Sequence, residues 1–341
     1  MSKAVSVIIP TFKRAHLLGH VLDRLCCQSC MDFEVIVVIK PSGDGTGQLV
    51  QNYRTKLDLK VVLQNRGYIT DALNLGLDNA DGSIICFLDD DALPAEDWVT
   101  KILEFYSQHK NAVGVAGDVV PVTINKKSVS VVDSSEVIPK RKLTALEWRM
   151  WSRPVEGLED YGVYLTKAGI VEYNSCAFED GKTCHSLLGM GANLSVLSSV
   201  LRDFRFPSGC SVCGIGNEQQ LAFHLWLKGH KLFFCPDIKV FHIRHDVTLS
   251  RGTSSLSTQT CRYLENCLLY YRFRGVPGFS RMYRILSFLV NVLCFNKIGT
   301  MQYLACLRGM LASEVLGLKW TLIRLCGGKY QPSEDIKRWT K

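Results

Sequence analysis

Residues 83–94 read SIICFLDDDALP, an apolar run that stops at three consecutive carboxylates, Asp89, Asp90 and Asp91. Such a run, bounded by turn-forming residues, predicts a strand buried on both faces. Side chains alternate along a strand, so Asp89 and Asp91 are expected to point one way and Asp90 the other, as the spare. Like charges this close raise one another's pKa and call for a cation, hydrogen-bond donors or water. Ligands of open parallel sheets bind at the carboxyl ends of the strands, so the three acids should line a cleft.

The surrounding sequence supplies the rest of that sheet. AVSVIIP (4–10), FEVIVVI (33–39) and LKVVLQ (59–64) read as further strands, alternating with helical patterns at 16–28, 48–53 and 70–79. This is the rhythm of an α/β fold, a mostly parallel, Rossmann-like sheet with helices on both faces. Beyond the acids, Pro94 fits a first helical position and Glu96 and Asp97 the first turn of a helix running through 98–106. Residues 140–185 read as aromatic-rich loops crossing the cleft. A helix over 218–228 and two strands, KLFFC (231–235) and KVFHI (239–243), close a first domain of residues 1–250. Residues 251–341 form a basic, amphipathic helical extension. In it Leu304, Leu307, Leu311, Val315, Leu318, Leu322 and Leu325 recur at helical steps, and Gly309 and Gly317 are expected to weaken or divide the helix.

A chain of 341 residues, 47% hydrophobic, buries a full core and is not a disordered polymer. Its net charge of +8 is uneven: residues 251–341 carry fourteen Lys/Arg against four Asp/Glu, net +10, and the remainder is near neutral at −2. Such asymmetry selects an acidic partner, and anionic lipid is preferred over nucleic acid, for which no recognisable module accompanies the charge. No apolar stretch reaches the roughly 20 residues needed to span a bilayer; the nearest, 285–295, is short and contains Asn291. The N-terminus enters the first strand without a secretory pattern, which predicts a cytoplasmic protein, peripheral on the cytoplasmic face of the membrane. The 14 cysteines are then expected as buried thiols. A zinc site from Cys26, Cys27 and Cys30 with Cys210 and Cys213 is the lesser reading.

Carboxylates at a cleft suit a hard divalent cation, Mg²⁺ or Mn²⁺, which completes its shell with water and substrate phosphates. The competing reading is a solvated acidic turn before a helix.

Taken in order, VSVIIPTFKR, NRG, ALNLGLDNADGSIICFLDDD, GMGANLSV, GNEQQLAFHLWLKGHKL and VFH resemble the motifs of family 2 glycosyltransferases over residues 4–245, with partial similarity in RYLENCLLYYRF. The resemblance implies a GT-A fold and an inverting transferase. Asp89 and Asp91 match the D-x-D carboxylates: Asp89 near ribose and metal, Asp91 a metal ligand, with His242 where a late-strand histidine contacts metal or diphosphate. Pro10, Thr11, Arg14, Asn65 and Asn74 match positions beside the nucleotide. Gly191 and Asn193 match a turn lining the sugar and acceptor pocket, and Glu218 falls where the family has its general base.

Local alternatives stand beside these roles. Asn217 would cap its helix and Glu218 merely face the dipole; His242 would be a satisfied core histidine, with Arg244 and His245 serving the phosphates; Gly191 would supply a positive-φ turn. Two departures bear on the donor. Ile39 and Lys40 stand where the family usually has an acidic pair reading the base, and NLSVLSS lacks the arginine that often follows the asparagine.

The expectation is therefore a metal-dependent inverting glycosyltransferase using a nucleotide-diphosphate sugar and a glycan or lipid-linked acceptor, in cell-surface polysaccharide or lipid-linked glycan synthesis. The rivals are a non-catalytic nucleotide-sugar or glycan-binding protein on the same fold and a nucleotidyltransferase; the absence of glycine in PTFKRAH argues against the latter.

Overall fold

The computed structural model describes residues 3–125, 128–132, 153–169, 171–174, 181–188, 191–208, 216–244, 282–286, 300–328 and 334–336, with a few single positions between them. Cys210, Cys213, His245 and, apart from Leu264, RYLENCLLYYRF lie outside the described residues.

Strands β1 (Val5–Thr11), β2 (Phe33–Ile39), β3 (Leu59–Leu63) and β4 (Ile84–Leu88) alternate with helices α1 (Ala15–Cys26), α2 (Thr46–Gln51) and α3 (Ile69–Asp78). They pair in parallel, in the order β3-β2-β1-β4. The chain winds outward from β1 to β3 and returns to the other side of β1 for β4, so the order reverses between β1 and β4. A crevice forms at the carboxyl ends of strands where such a reversal occurs. Alternation sends Val5, Val7 and Ile9, with Val35 and Val37, into one core, and Ile8, with Ile36, Val38, Ile85 and Phe87, into the other. Gly76 lets α3 lie directly on β1, since a Cβ there would overlap the Ile8 side chain.

The second half of the sheet is mixed. Its strands are β5 (Ala92–Pro94), β6 (Ala112–Asn125), β7 (Ser128–Val131), β10 (Cys184–His185), β11 (Asn193–Leu197) and β12 (Lys231–Ile243), and β8 (Val163–Leu165) and β9 (Val171–Tyr173) make a separate antiparallel pair. Helix α4 (Trp98–Gln108) lies in the first core and α5 (Asn217–Leu227) in the second. Several sequence expectations change here. Pro94 closes a short strand paired with Val240, and the helix begins four residues later at Trp98, with Asp97 at its N-cap and Glu96 turned to Arg24. KLFFC and KVFHI are one strand, bulged between Cys235 and Lys239. Residues expected as loops within 140–185 contribute β8, β9 and β10. Cys26, Cys27 and Cys30 are free thiols and Cys27 is exposed, not buried.

The extension carries a 26-residue helix, α6 (Thr300–Leu325). Gly309 and Gly317 do not divide it; both are buried on its inward face beside Ala305, Ala312, Ser313, Leu316 and Trp320. Arg284 binds Glu314 (2.7 Å) and Ser313 (3.2 Å), and Trp320 Nε1 donates to Asp335 (2.8 Å). The predicted apolar stripe faces outward: Leu304, Leu311, Val315, Leu318, Leu322 and Leu325 are 47–78% exposed. Among the described residues no helix is long and apolar enough to cross a membrane.

Candidate active site

Strand β4 ends at Leu88, so Asp89, Asp90 and Asp91 form a turn, closed by the Ala92 amide donating to Asp89 O (3.2 Å). Strand alternation therefore does not govern them, and Asp90 is not the spare. Arg14, at the N-cap of α1, reaches across the crevice and donates from Nη1 to Asp90 Oδ1 (2.8 Å) and Asp91 Oδ2 (3.0 Å). The other oxygen of Asp91 faces His242 Nε2 at 3.2 Å, and Asp89 Oδ2 lies 3.9 Å from the same nitrogen. His242 reaches this position because β12 pairs with β5 (His242 opposite Ala92), while the Ile243 amide donates to Asp91 O (2.8 Å). It stands beside the acids near a strand end, with its side chain 23% exposed, and is not buried in a core.

The electrostatics are unbalanced, with three carboxylates facing one guanidinium. Burial, and then the charge of Asp91, raises the Asp89 pKa, with His242 opposing; the 44% of that side chain open to water moderates the rise. Burial also raises Asp90, opposed by Arg14. Burial by itself would lower the pKa of Arg14, but Asp90 and Asp91 together raise it. The ligand atoms of Asp89, Asp91 and His242 lie within 4.8 Å of one another. Two hard oxygen donors and one imidazole, already close enough to share an ion, fit a divalent cation, and a second positive charge would relieve the excess of carboxylate.

Beside this turn lies a cleft lined by Pro10, Ile69, Leu73, Phe87, Leu88, Asp89, Gly191, Leu194, Phe206, Asn217, Glu218 and Leu221. Its enclosed part is about 20 Å³, room for about one water, and the rest opens to solvent. Glu218 stands in the first turn of α5, where the positive end of the helix dipole favours a carboxylate. The N-cap is Gly216 at φ 88°, which only glycine adopts readily, so Asn217 is not the cap but part of the cleft wall. Gly191 has no positive φ, and a Cβ there would make ordinary contact with Asn217 Nδ2 (3.4 Å) and Glu218 Oε2 (3.5 Å), so its place is against the wall that carries Glu218. Tyr173, at the end of β9, is close enough for the charge of Glu218, after burial, to help push its phenol up to about 12.

Pro10, Asp89, Gly191 and Glu218 thus meet at one cleft, with Asp91, Arg14 and His242 at its acidic edge. Four expected residues are placed otherwise. Asn193 is 1% exposed and fully engaged, accepting from Trp98 Nε1 (2.9 Å) and donating to Asp118 O (2.9 Å) and Ile238 O (2.8 Å); it knits three elements and does not line the cleft. Asn74 spends both ends of its amide on the backbone of Phe206 (2.8 Å each), positioning a wall residue. Thr11 is buried beneath the turn with its hydroxyl directed at Asp90. Asn65 is exposed on the loop after β3, away from the cleft lining.

At the first departure from the family pattern, Ile39 ends β2 and is buried. Lys40 donates to Gly67 O (2.8 Å) and lies over the rings of Phe12 (5.3 Å) and Tyr68 (5.7 Å). The adjoining turn is held by Asp44, which accepts from the Ala15 amide (3.1 Å) and Thr46 Oγ1 (2.7 Å); such bonds outweigh its burial and lower its carboxyl to about 2. The Arg14 bridge, Tyr173 and Phe206 had no local signal in the sequence. Ile69, Leu73 and Leu221 were readable only as apolar helix faces.

Comparison with known proteins gives the same picture. Residues 6–151 match the family described as Glycosyl transferase family 2. A PGL/p-HBAD biosynthesis glycosyltransferase of Mycobacterium bovis is 30% identical over 142 residues, 40% of this chain and 55% of that one. The poly(ribitol-phosphate) beta-N-acetylglucosaminyltransferase TarS of Staphylococcus aureus is 32% identical over 137 residues, 37% of this chain and 24% of that one. The chain therefore spans about half, or less, of these curated relatives. Among solved structures, the mannosyltransferase PcManGT of Pyrobaculum calidifontis, in complex with GDP-Man and Mn²⁺, superposes with a TM-score of 0.53 at 17% identity, covering 100% of this chain and 84% of that one. S. aureus TarS 1–349 with UDP gives 0.52 at 17% identity, covering 100% and 89%. The likeness at that identity is one of fold, and it is the GT-A fold. The reversal of strand order, the acidic turn at the end of β4 and the matched segment agree, and over residues 6–151 this chain is similar to glycosyl transferase family 2.

Proposed function

We propose that the protein is a metal-dependent, inverting glycosyltransferase that moves a sugar from a nucleotide-diphosphate sugar to a hydroxyl of a glycan or lipid-linked acceptor. The observation that carries this reading is the convergence of Asp89, Asp91 and His242 at the crevice, with Glu218 on the wall of the adjoining cleft. That the named relatives are glycosyltransferases, and that structural neighbours bind GDP-Man with Mn²⁺ or UDP, supports it.

In this reading Asp89, Asp91 and His242 would hold Mg²⁺ or Mn²⁺, and the ion would supply positive charge to offset that of a departing diphosphate. Arg14 keeps Asp91 oriented and supplies the fixed positive charge of the site. Pro10 and Asp89 border the nucleotide, and the open part of the cleft takes the sugar. Glu218, in the first turn of α5, accepts the proton of the acceptor hydroxyl as that oxygen bonds to the anomeric carbon. The bond from that carbon to the diphosphate oxygen breaks on the opposite face, and the electron pair leaves with the nucleoside diphosphate. One carboxylate and the ion-holding triad suffice, with no covalent nucleophile.

We take residues 1–250 as the catalytic unit and the basic extension as its means of contact with an anionic membrane carrying the acceptor, as in cell-surface polysaccharide or lipid-linked glycan synthesis. The test is Glu218→Gln with a panel of nucleotide sugars and Mn²⁺. Turnover should fall at least about 100-fold, with donor-dependent thermal stabilisation retained. Unchanged turnover eliminates Glu218 as the base, and no nucleoside diphosphate release with any donor favours the non-catalytic binder.

A further inference from the structure

The outward face of α6 combines three properties. It is apolar over about six turns, from Leu304 to Leu325, although helix faces exposed to water are ordinarily polar. It is not left over from poor packing, because the opposite face is the one that packs, through small residues, Leu316 and Trp320. It also has basic borders. Arg308 lies one turn from both Leu304 and Leu311, Lys319 one turn from Val315 and Leu322 while also paired with Asp335, and Arg324 is exposed near the end. The neighbouring segment adds Met282 and Ile285, 62% and 53% exposed.

We propose that this face of α6 is the docking surface for an anionic lipid bilayer, with the helix lying in the plane of the headgroups. The inference rests on the reading of the extension as a membrane contact and specifies the surface responsible. Charge selects lipid over a second copy of the chain: residues 251–341 carry net +10, so face-to-face pairing would oppose two strongly basic segments, whereas an acidic headgroup layer complements them. Length sets the mode, since α6 cannot span but can lie flat. Docking would also be coupled to the catalytic unit. The Ser280 amide donates to Lys167 O (2.9 Å) and Lys167 Nζ lies 6.0 Å from the Tyr283 ring, which ties the extension to the loop between β8 and β9. Tyr173 of that pair neighbours Glu218. The membrane-facing helix is thereby joined to the side of the cleft where an acceptor hydroxyl must enter.

The experiment is flotation of the full chain with vesicles of phosphatidylcholine and phosphatidylglycerol in equal parts, against pure phosphatidylcholine, at low and high salt. Wild type should float with the mixed vesicles, poorly with the neutral ones, and less at high salt. Leu318→Asp with Leu322→Asp should lower the bound fraction about tenfold while keeping the thermal midpoint. Leu311→Ser with Leu325→Ser, a milder pair, should give a smaller loss in the same direction. Equal flotation of wild type and both variants overturns the proposal, as does failure of wild type to float. A dimer that the aspartate pair converts to monomer, without flotation, assigns the face to a second copy instead. Transfer to a soluble acceptor is scored separately: its loss with flotation intact strikes the catalytic reading, and its persistence without flotation strikes only the docking face.

Discussion

Two clusters of carboxylates sit at opposite ends of the parallel strands, and their contrast separates stability from function. At the amino ends, Glu34 is 3% exposed and fully answered: Lys60 Nζ at 2.7 Å, Ser6 Oγ at 2.6 Å and the Asp81 amide at 2.8 Å all approach it. Burial alone would raise its pKa, but these partners outweigh burial and lower it. At the carboxyl ends, Asp89 and Asp90 are raised, first by burial and then by their acidic neighbours, which His242 and Arg14 only partly oppose. The first cluster is relaxed as it stands, and the second is arranged for a further positive charge. Local conflict of that kind collects at functional sites.

Substitutions that move one cluster without the other sharpen the contrast. The largest stability effect is expected for Arg14→Met, which leaves Asp90, with a side chain 6% exposed, without its cation; a loss of about 3 kcal/mol should appear in urea denaturation. An unchanged midpoint would mean that the bridge is not a stabilising contact. Glu34→Gln should cost about 2 kcal/mol while leaving donor-induced stabilisation intact, which would mark its cluster as structural only. The smallest effect, and the one of opposite sign, is Asp89→Asn. It should raise the thermal midpoint of the metal-free protein by about 1–2 °C while abolishing stabilisation by Mn²⁺ with donor.

The pH dependence of the two differences should also run in opposite senses. The contribution of Glu34 is present above the ordinary carboxylate pKa and disappears as pH falls through its lowered value, so the cost of Glu34→Gln shrinks in acid. The raised Asp89 favours the folded state only while protonated. Its ionisation removes that benefit as pH rises through the raised value, so Asp89→Asn should gain nothing at low pH and most at neutral pH.

The same contrast explains what could be read from the sequence. Strands of the parallel half are buried on both faces, so FEVIVVI and its neighbours appear as unbroken apolar runs and their limits fall within a residue or two of β1 to β4. β6 escaped because Gly114, Gly117 and Pro121 interrupt AVGVAGDVVPVTIN, yet both glycines have a cause: a Cβ at Gly114 would press on Leu232. A Cβ at Gly117 would overlap both Ile238 O and the Asn193 amide. Pro94 obeyed a helix-start rule until tertiary pairing with β12 prevailed. The acids, His242 and Glu218 were legible as residue types, but the Arg14 bridge joins positions 76 and 77 apart and leaves no local trace. The two asparagines show the converse, since motif position cannot distinguish an amide that meets a ligand from one that ties backbone to backbone.

The bulge in β12 also acts as a phase setter. Side chains on either side of it keep the register that puts His242 opposite Ala92, and a strand one residue shorter between Cys235 and Lys239 would turn every later side chain to the other face. The imidazole would leave the acids and an apolar neighbour would take its place, with the sheet otherwise intact. Because α5 leads into this strand after a three-residue connection, Glu218 and His242 travel on one helix-strand unit, and the length of a single irregularity fixes the distance between the Glu218 carboxylate and the acidic turn.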